Sequence, residues 1–278
     1  MHLLTILIVV TLAVAIRQAS FDTQGWLKRW YRALFLFLFP ALLLLTTAMT
    51  ILYMGCHGKM LGIKAGFLGC IISGSLILFA CSCLLKLVYQ SVRAIVQLQN
   101  YPLSKVGQTN ARVIELDLPY SAQIGFWRSQ LVMSQGLITT LDPEHLNAVI
   151  AHEQAHVQYR DTFWFFWLGW IRSFSFWLPN TEALWHELLL LRELRADRKA
   201  SESVDFLLLA ESLLAVAKAP LNSLVGCVGF NDAQIGDRLN ERIDSLLDPT
   251  ESIPNSKWHN WIWLCLLLLP LLTIPLHY

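Results

Sequence analysis

The sequence predicts a mainly α-helical, multi-pass membrane protein with one α+β domain inserted between transmembrane helices 3 and 4. Of its 278 residues, 55% are hydrophobic and only 15% are charged, whereas a soluble domain carries about 25% charged residues. The apolar residues concentrate in separated runs, and the one long stretch between such runs mixes alternating and helical patterns. A net charge of +1 gives no indication of direct nucleic-acid binding.

Four apolar runs are predicted to be transmembrane helices: residues 1–16, 33–54, 67–89 and 258–276. The first run is short, and Ala13-Val14-Ala15 resembles the cleavage site of a signal peptide. However, no Lys or Arg precedes this run, as one does in most signal peptides. We therefore favour a short first transmembrane helix over a cleaved signal.

The distribution of positive charge predicts the orientation. Residues 17–32 form a basic segment, whereas the two termini lack Lys and Arg. The positive-inside rule then makes this segment a cytoplasmic loop and places both termini outside, although Lys59 and Lys64 on the outer loop count against it. The inserted domain, residues 100–254, is accordingly predicted to be cytoplasmic.

The six cysteines form no CxxC pair, and four of them lie within long apolar runs. This distribution is typical of small hydrophobic residues. It predicts neither a disulfide framework nor a cysteine-ligated zinc site.

Two strands and a capped helix open the inserted domain. Alternation predicts a strand over residues 111–118 and a second over residues 124–134, after which Gly136 turns the chain. Asp142 is a good N-cap and Pro143 suits the first helical position, so a helix should run from there to about residue 160. Further helices are predicted over residues 181–200 and 204–218.

Residues 163–178 are crowded with aromatic side chains. The segment is short and contains Arg172, so a single crossing of the bilayer is disfavoured. We predict an interfacial or re-entrant segment.

The central motif is His152-Glu153-x-x-His156 in the helix that Asp142 caps. A spacing of four residues places both histidines on one helix face, one turn apart, where two imidazoles can hold one Zn²⁺. Glu153 lies beside them as a general base. The alternative is a helix with two surface histidines, which rarely carries a glutamate at this position by chance.

A third ligand is required, because a catalytic zinc usually has three protein ligands and one open position. The metzincin pattern is excluded, since Tyr159 and Thr162 occupy its next two fixed positions. Among later glutamates, only Glu193 has a carboxylate one turn on, at Asp197, that could orient a ligating histidine. Asp161 is a second candidate for that orienting role.

Together, His152-Glu153-x-x-His156 with Asp161 and then Glu193-x-x-x-Asp197 resembles the integral-membrane gluzincin metallopeptidases. This group includes the CAAX prenyl proteases, the HtpX proteases and the BlaR/MecR-type signal transducers. The predicted layout is most similar to the BlaR/MecR type, except that this sequence lacks the extracellular penicillin-binding sensor domain. Arg242 resembles an arginine that the wider group keeps near its active site, as a transition-state or substrate contact.

The resemblance implies a zincin-like α+β metalloprotease domain with one Zn²⁺ per chain. It implies Glu153 as the catalytic base and His152, His156 and Glu193 as the ligands. A polypeptide substrate would add to the second strand as an edge, near Ile124, Phe126 and Arg128.

The implied role is regulatory proteolysis of a transcriptional repressor of the BlaI kind, of the enzyme itself, or of both. The lipid bilayer, as a bacterial plasma membrane, and a separate sensor subunit are the other partners that the resemblance implies. One alternative is an HtpX-like protease that removes damaged membrane proteins. Another, from a different class, is a non-catalytic receptor that binds zinc and signals by contact; the intact Glu153 counts against it.

Overall fold

Helices form most of the fold, which was obtained as a computed structural model. It describes residues 1–19, 25–60, 63–217, 232–247 and 258–277. The helices are α1 (His2–Gln18), α2 (Trp26–Met54), α3 (Phe67–Gln99), α4 (Gln135–Thr140), α5 (Pro143–Tyr159), α6 (Asp161–Ser175), α7 (Thr181–Ala200), α8 (Phe206–Ala217) and α9 (Asp232–Leu247), followed by a 3₁₀ helix at Trp258–Leu276. The strands are β1 (Lys59–Met60), β2 (Ile63–Lys64), β3 (Leu103–Val106), β4 (Thr109–Ile114), β5 (Ser121–Ile124) and β6 (Gln130–Ser134).

The chain divides into two units. Unit 1 comprises Met1–Val88, Trp167–Leu189 and Ile253–Tyr278, and unit 2 comprises Tyr89–Phe166 and Leu190–Ser252. The apolar N-terminal helices belong to unit 1, whereas the four-stranded sheet and α5 belong to unit 2.

Two helices, α2 and α3, are long and apolar enough to cross a membrane. The other two predicted spans correspond to shorter apolar helices, His2–Gln18 and Trp261–Pro275. Helix α2 begins at Trp26, ahead of the predicted span at residue 33, and α3 continues to Gln99, beyond the end of its predicted span at residue 89. Hydropathy marks only the apolar part of a helix, and its polar ends continue the same hydrogen-bond pattern.

Arg17 does not lie in a solvated loop, as the sequence predicted, but is buried at the end of α1. Its guanidinium donates to the carbonyl oxygen of Phe37 at 3.0 Å and to the hydroxyl of Thr181 at 3.1 Å. These polar contacts within unit 1 compensate the cost of burying the charge. Arg17 is therefore a structural residue.

Cys56 and Cys70 form a disulfide bond, so the prediction that the cysteines act only as small hydrophobic residues is wrong for this pair. The two-residue strands β1 and β2 pair antiparallel and return the chain, which brings Cys56 beside the first turn of α3. Three other cysteines, Cys81, Cys83 and Cys265, are free thiols, and Cys227 lies outside the described residues.

Unit 2 contains a sheet with the strand order β3-β4-β6-β5. Strands β4 and β6 are parallel, whereas β3 and β5 pair antiparallel with their neighbours. Strand β5 is thus an edge of the sheet. The side chains that pack one sheet face against α5 form the core of this unit, namely Val106, Ala111, Leu131, Met133, Leu137, Val149 and Ile150.

The predicted strand over residues 124–134 is wrong, because the structure has two strands, β5 and β6, joined by a tight connection. Gly125 has φ of +147°, and a Cβ atom there would lie 2.5 Å from the carbonyl oxygen of Arg128. Only glycine fits such a close approach. The predicted strand over residues 111–118 likewise ends earlier, at Ile114.

Gly136 does not turn the chain, as predicted, but lies in the first turn of α4, which Ser134 caps. A Cβ atom at Gly136 would lie 1.9 Å from the carbonyl oxygen of Asp117. The glycine is therefore required by close packing of two backbone segments rather than by a turn.

The structure confirms the predicted helix α5. Asp142 accepts hydrogen bonds from the backbone amides of Glu144 and His145, and Pro143 occupies the first turn. The helix predicted over residues 181–200 is also confirmed, and the one predicted over residues 204–218 corresponds to α8. The aromatic segment forms α6, whose 15 residues are fewer than the ~20 that a membrane crossing needs.

Candidate metal centre

Helix α5 carries His152 and His156 on one face, as their spacing requires. Both imidazoles are buried. Their Nε2 atoms lie 3.1 Å apart and therefore point to one place.

Glu193, on α7, completes a group of three donors. Its Oε2 atom lies 3.3 Å from Nε2 of His152 and 3.7 Å from Nε2 of His156. Ligand atoms at about 2.0–2.2 Å from a tetrahedral zinc ion lie about 3.2–3.6 Å from one another. The three donor atoms thus have the chemistry and the spacing of a zinc site with one open position. Among the residues that the structure describes, they form a candidate metal centre.

A carboxylate contacts the outer nitrogen of each histidine. Nδ1 of His156 lies 2.7 Å from Asp161, and Nδ1 of His152 forms an ion-pair contact of 2.8 Å with Asp197. With the hydrogen on Nδ1, each Nε2 keeps its lone pair for a metal ion. The structure places Asp161 and Asp197 where the sequence-based hypothesis needs them.

Each carboxylate of the centre is in turn held by an arginine. Arg242 donates two hydrogen bonds to Asp197, at 2.7 and 2.8 Å. Arg195 bonds Asp161, and Arg192 donates to Oε1 of Glu193 at 2.6 and 2.9 Å. Charge-assisted pairs of this kind fix the orientation of both members.

These charges set the protonation states. Burial would raise the pKa of Glu193, but the Arg192 guanidinium and the two histidines hold it well below its usual range. Burial would lower the pKa of His152, but Asp197 and Glu193 raise it to about 9. The two carboxylates thus favour a doubly protonated His152 imidazole, and a metal ion bound at Nε2 would replace the proton on that atom while Nδ1 keeps its own.

Glu153 lies beside the donors and is 5% exposed. Its Oε1 atom accepts a hydrogen bond of 2.7 Å from the hydroxyl of Ser121, the first residue of β5. A cavity of about 280 Å³ opens in front of these groups and is lined by Ser121, Glu153 and the three candidate ligands, among others. A buried carboxylate with one oxygen held in place has the position that a general base needs.

Arg242 was predicted to contact the substrate or the transition state. The structure places its guanidinium on Asp197, with the nearest Glu193 oxygen 3.7 Å away. It also lines a cavity of about 170 Å³ with His152, Glu153 and Glu193. Its main contact is thus a carboxylate that orients a ligand.

The predicted substrate edge is shorter than the sequence suggested. Ile124 belongs to β5, but Phe126 and Arg128 lie in the connection after it. The Phe126 ring packs against Phe163 and Phe166, with centroid distances of 5.1 and 4.8 Å. The two residues therefore cannot extend the edge strand.

Sequence reasoning assigned no role to Ser121, Arg192 or Arg195. Ser121 was missed because the predicted strand began three residues too late, at residue 124. Arg192 directly precedes Glu193 in the sequence, and this adjacency was the available signal for that pair. Arg195 meets Asp161 across 34 positions of sequence, which no local pattern predicts.

Other histidine and glutamate side chains on α5 and α7 have partners outside the candidate metal centre. His145, also on α5, contacts Asp142 and Glu211 at the exposed start of the helix. In unit 1, Glu187 forms an ion pair with Arg29 at 2.8 Å and Glu182 bonds Arg172.

One of three comparisons with known proteins gives a match. Residues 88–217 match the model of Peptidase family M48. The match includes His152, Glu153, His156 and Glu193 but not Arg242. Neither the curated proteins nor the solved structures contain a significant match. The family match and the His-His-Glu cluster together support a metallopeptidase whose peptidase domain, in residues 88–217, is similar to those of family M48.

Proposed function

We propose that this protein is a membrane-bound zinc metalloendopeptidase that hydrolyses peptide bonds in cytosolic or membrane-proximal proteins. The observation that carries the proposal is the convergence of His152, His156 and Glu193 beside the buried Glu153 carboxylate, at an open cavity. Binding of a metal alone would not require a carboxylate next to its open position.

Each residue has a separate task in the proposed mechanism. His152, His156 and Glu193 would hold the zinc ion, which would supply Lewis-acid polarisation of the scissile carbonyl and a lowered pKa of water. Glu153 removes a proton from the attacking water and delivers it to the leaving amine. Ser121 holds Oε1 of Glu153, and Asp161 and Asp197 keep the histidines in the required tautomer.

Removal of the metal tests this function. We expect that the purified, detergent-solubilised protein cleaves an unfolded reporter protein, loses that activity when zinc is chelated, and regains it when zinc is restored. Cleavage fragments and bound zinc are measured on the same samples. Hydrolysis that persists after zinc has left the protein would contradict the proposal.

The membrane setting is supported by the surface of α3. Large apolar side chains are exposed along this helix, from Phe67 to Val96, whereas a helix in a soluble core would bury them. An exposed apolar surface of that length is favourable in contact with lipid acyl chains and unfavourable in contact with water. We therefore propose that α2 and α3 cross the bilayer.

The Cys56–Cys70 disulfide supports one orientation. Disulfide bonds persist outside the cytoplasm and are rare within it. If the β1–β2 connection lies outside, the crossing by α3 places the peptidase domain on the cytoplasmic side. The charge distribution predicts the same orientation. That prediction does not depend on Arg17, which is buried at the end of α1.

Thiol labelling of intact cells tests the orientation. With Cys81, Cys83, Cys227 and Cys265 replaced by serine, we expect an impermeant maleimide to label the protein from outside only after reduction. In the same background, the exposed Glu144 changed to cysteine should react only after the cells are opened. Labelling of that cysteine in intact cells would refute the orientation.

For the biological role we propose regulatory proteolysis of a repressor or of the enzyme itself. The position of β5 at the sheet edge, beside Glu153, supports an extended polypeptide as substrate, because an added strand gains main-chain hydrogen bonds. Cleavage of one defined partner supports regulation. Digestion of many misfolded membrane proteins would instead support a quality-control protease.

A further inference from the structure

A second concave surface lies in unit 2, between the sheet and α5. This surface, the amide groove, has a volume of about 660 Å³, and its apolar lining includes Leu131 and Val157. None of the described residues that line it is ionisable. Its polar character comes mainly from five side-chain amides, those of Asn110, Gln123, Gln130, Gln154 and Gln158.

The amide groove adjoins the cavity of the metal centre. Gln123 lines both of them. It lies two residues after Ser121 on β5, so about 7 Å of strand separates the groove from the residue that holds Glu153. A polypeptide added to the β5 edge at the metal centre would reach the groove within a few residues.

The side-chain oxygen of Gln123 is a hydrogen-bond acceptor that lacks a donor among the described residues. Its Oε1 atom is buried, yet it accepts no hydrogen bond from the residues that the structure describes. A buried, unpaired amide oxygen is unfavourable by about 1–3 kcal/mol. A donor supplied by a bound molecule would remove that cost, and a peptide N–H is such a donor.

We propose that the amide groove is a substrate subsite, which binds an uncharged, extended polypeptide segment next to the scissile bond. The inference rests on the proposed peptidase function and adds a substrate class to it. Side-chain amides both donate and accept, so they match main-chain groups and the side chains of Ser, Thr, Asn and Gln. A charged substrate residue would lose hydration there without gaining an ion pair.

A measurement of peptide binding tests the subsite independently of catalysis. The probe is a fluorescent peptide rich in Ser, Asn and Gln, measured by anisotropy on the zinc-loaded Glu153→Gln variant, in which cleavage is slowed by about 10²–10⁴-fold. We expect this peptide to bind more tightly than the same peptide with Glu in place of Ser and Asn. Adding Gln123→Ala should weaken its binding by about 2–10-fold, since one neutral hydrogen bond is lost.

A charge introduced into the groove should reverse the preference. We expect Gln158→Lys to tighten binding of the Glu-containing peptide by about 2–5-fold relative to the neutral one, as for an exposed ion pair. Gln97→Lys, at an exposed position on α3 outside the groove, is the matched control and should leave the ratio unchanged.

The outcomes distinguish the two proposals. Equal binding of both peptides to all variants overturns the subsite, even if the wild-type protein hydrolyses proteins. A peptide preference that depends on Gln123 and Gln158, in a protein without hydrolytic activity, supports the subsite and overturns the peptidase function.

Discussion

Replacing Glu153 by glutamine is expected to slow peptide hydrolysis by about 10²–10⁴-fold, the usual contribution of a general base. Glutamine has nearly the same shape and can still accept the hydrogen bond from Ser121. It cannot take a proton from water, however. Because Glu153 is not one of the three donors, zinc content should stay near one ion per chain, and both quantities are measured on one purified sample.

The matched control is Glu144→Gln, an equal change at an exposed position on the same helix. We expect this control to retain wild-type activity and zinc. If Glu153→Gln hydrolysed the reporter protein at the wild-type rate, Glu153 could not be the base, and the proposed mechanism would be rejected. Loss of zinc from Glu153→Gln would instead indicate a structural role.

Replacing Glu193 by alanine is expected to abolish both stable zinc binding and hydrolysis. The change removes one of three donors and leaves two histidines with their orienting carboxylates. Loss of a residue that only orients a ligand weakens metal binding by about 10–100-fold, so loss of the ligand itself should cost more. Zinc affinity is measured by competition with a chelator of known strength.

Glu187→Ala is the matched control for this change. Glu187 lies on the same helix, has a similarly exposed side chain (23% against 20%) and is likewise paired with an arginine, Arg29. We expect the control to keep its zinc. Equal zinc affinity in the two variants would show that Glu193 is not a ligand.

The sequence located the centre of the proposed site because that part depends on local rules. The spacing of His152 and His156 defines one helix face, and Asp142 with Pro143 marks the start of α5. Glu193 could be inferred because Asp197 follows one turn later on the same helix.

Other parts of the site depend on contacts between residues far apart in the chain. Ser121 meets Glu153 because β5 lies beside α5, and Arg242 meets Asp197 across 45 positions of sequence. No periodicity encodes such pairs, since each is decided by how elements pack. Arg242 was therefore noticed only through the family resemblance, and its main partner was not foreseen.

The cysteines show the same difference between what local sequence predicts and what contacts between distant residues decide. Hydropathy placed Cys70 in an apolar helix, and it is indeed buried. Its bond to Cys56 requires the β1–β2 pair to return the chain, and two-residue strands leave too weak a pattern to predict.

The sequence by itself determined the apolar helices, the capped helix α5 and the donors that it can offer, because these follow from composition, periodicity and capping. The tertiary structure alone decided that β5 is an edge, that Arg195 and Arg242 hold Asp161 and Asp197, and that a neutral groove adjoins the cavity at Gln123. The physical reason is that a helix forms from neighbouring residues, whereas a site forms where distant elements pack together.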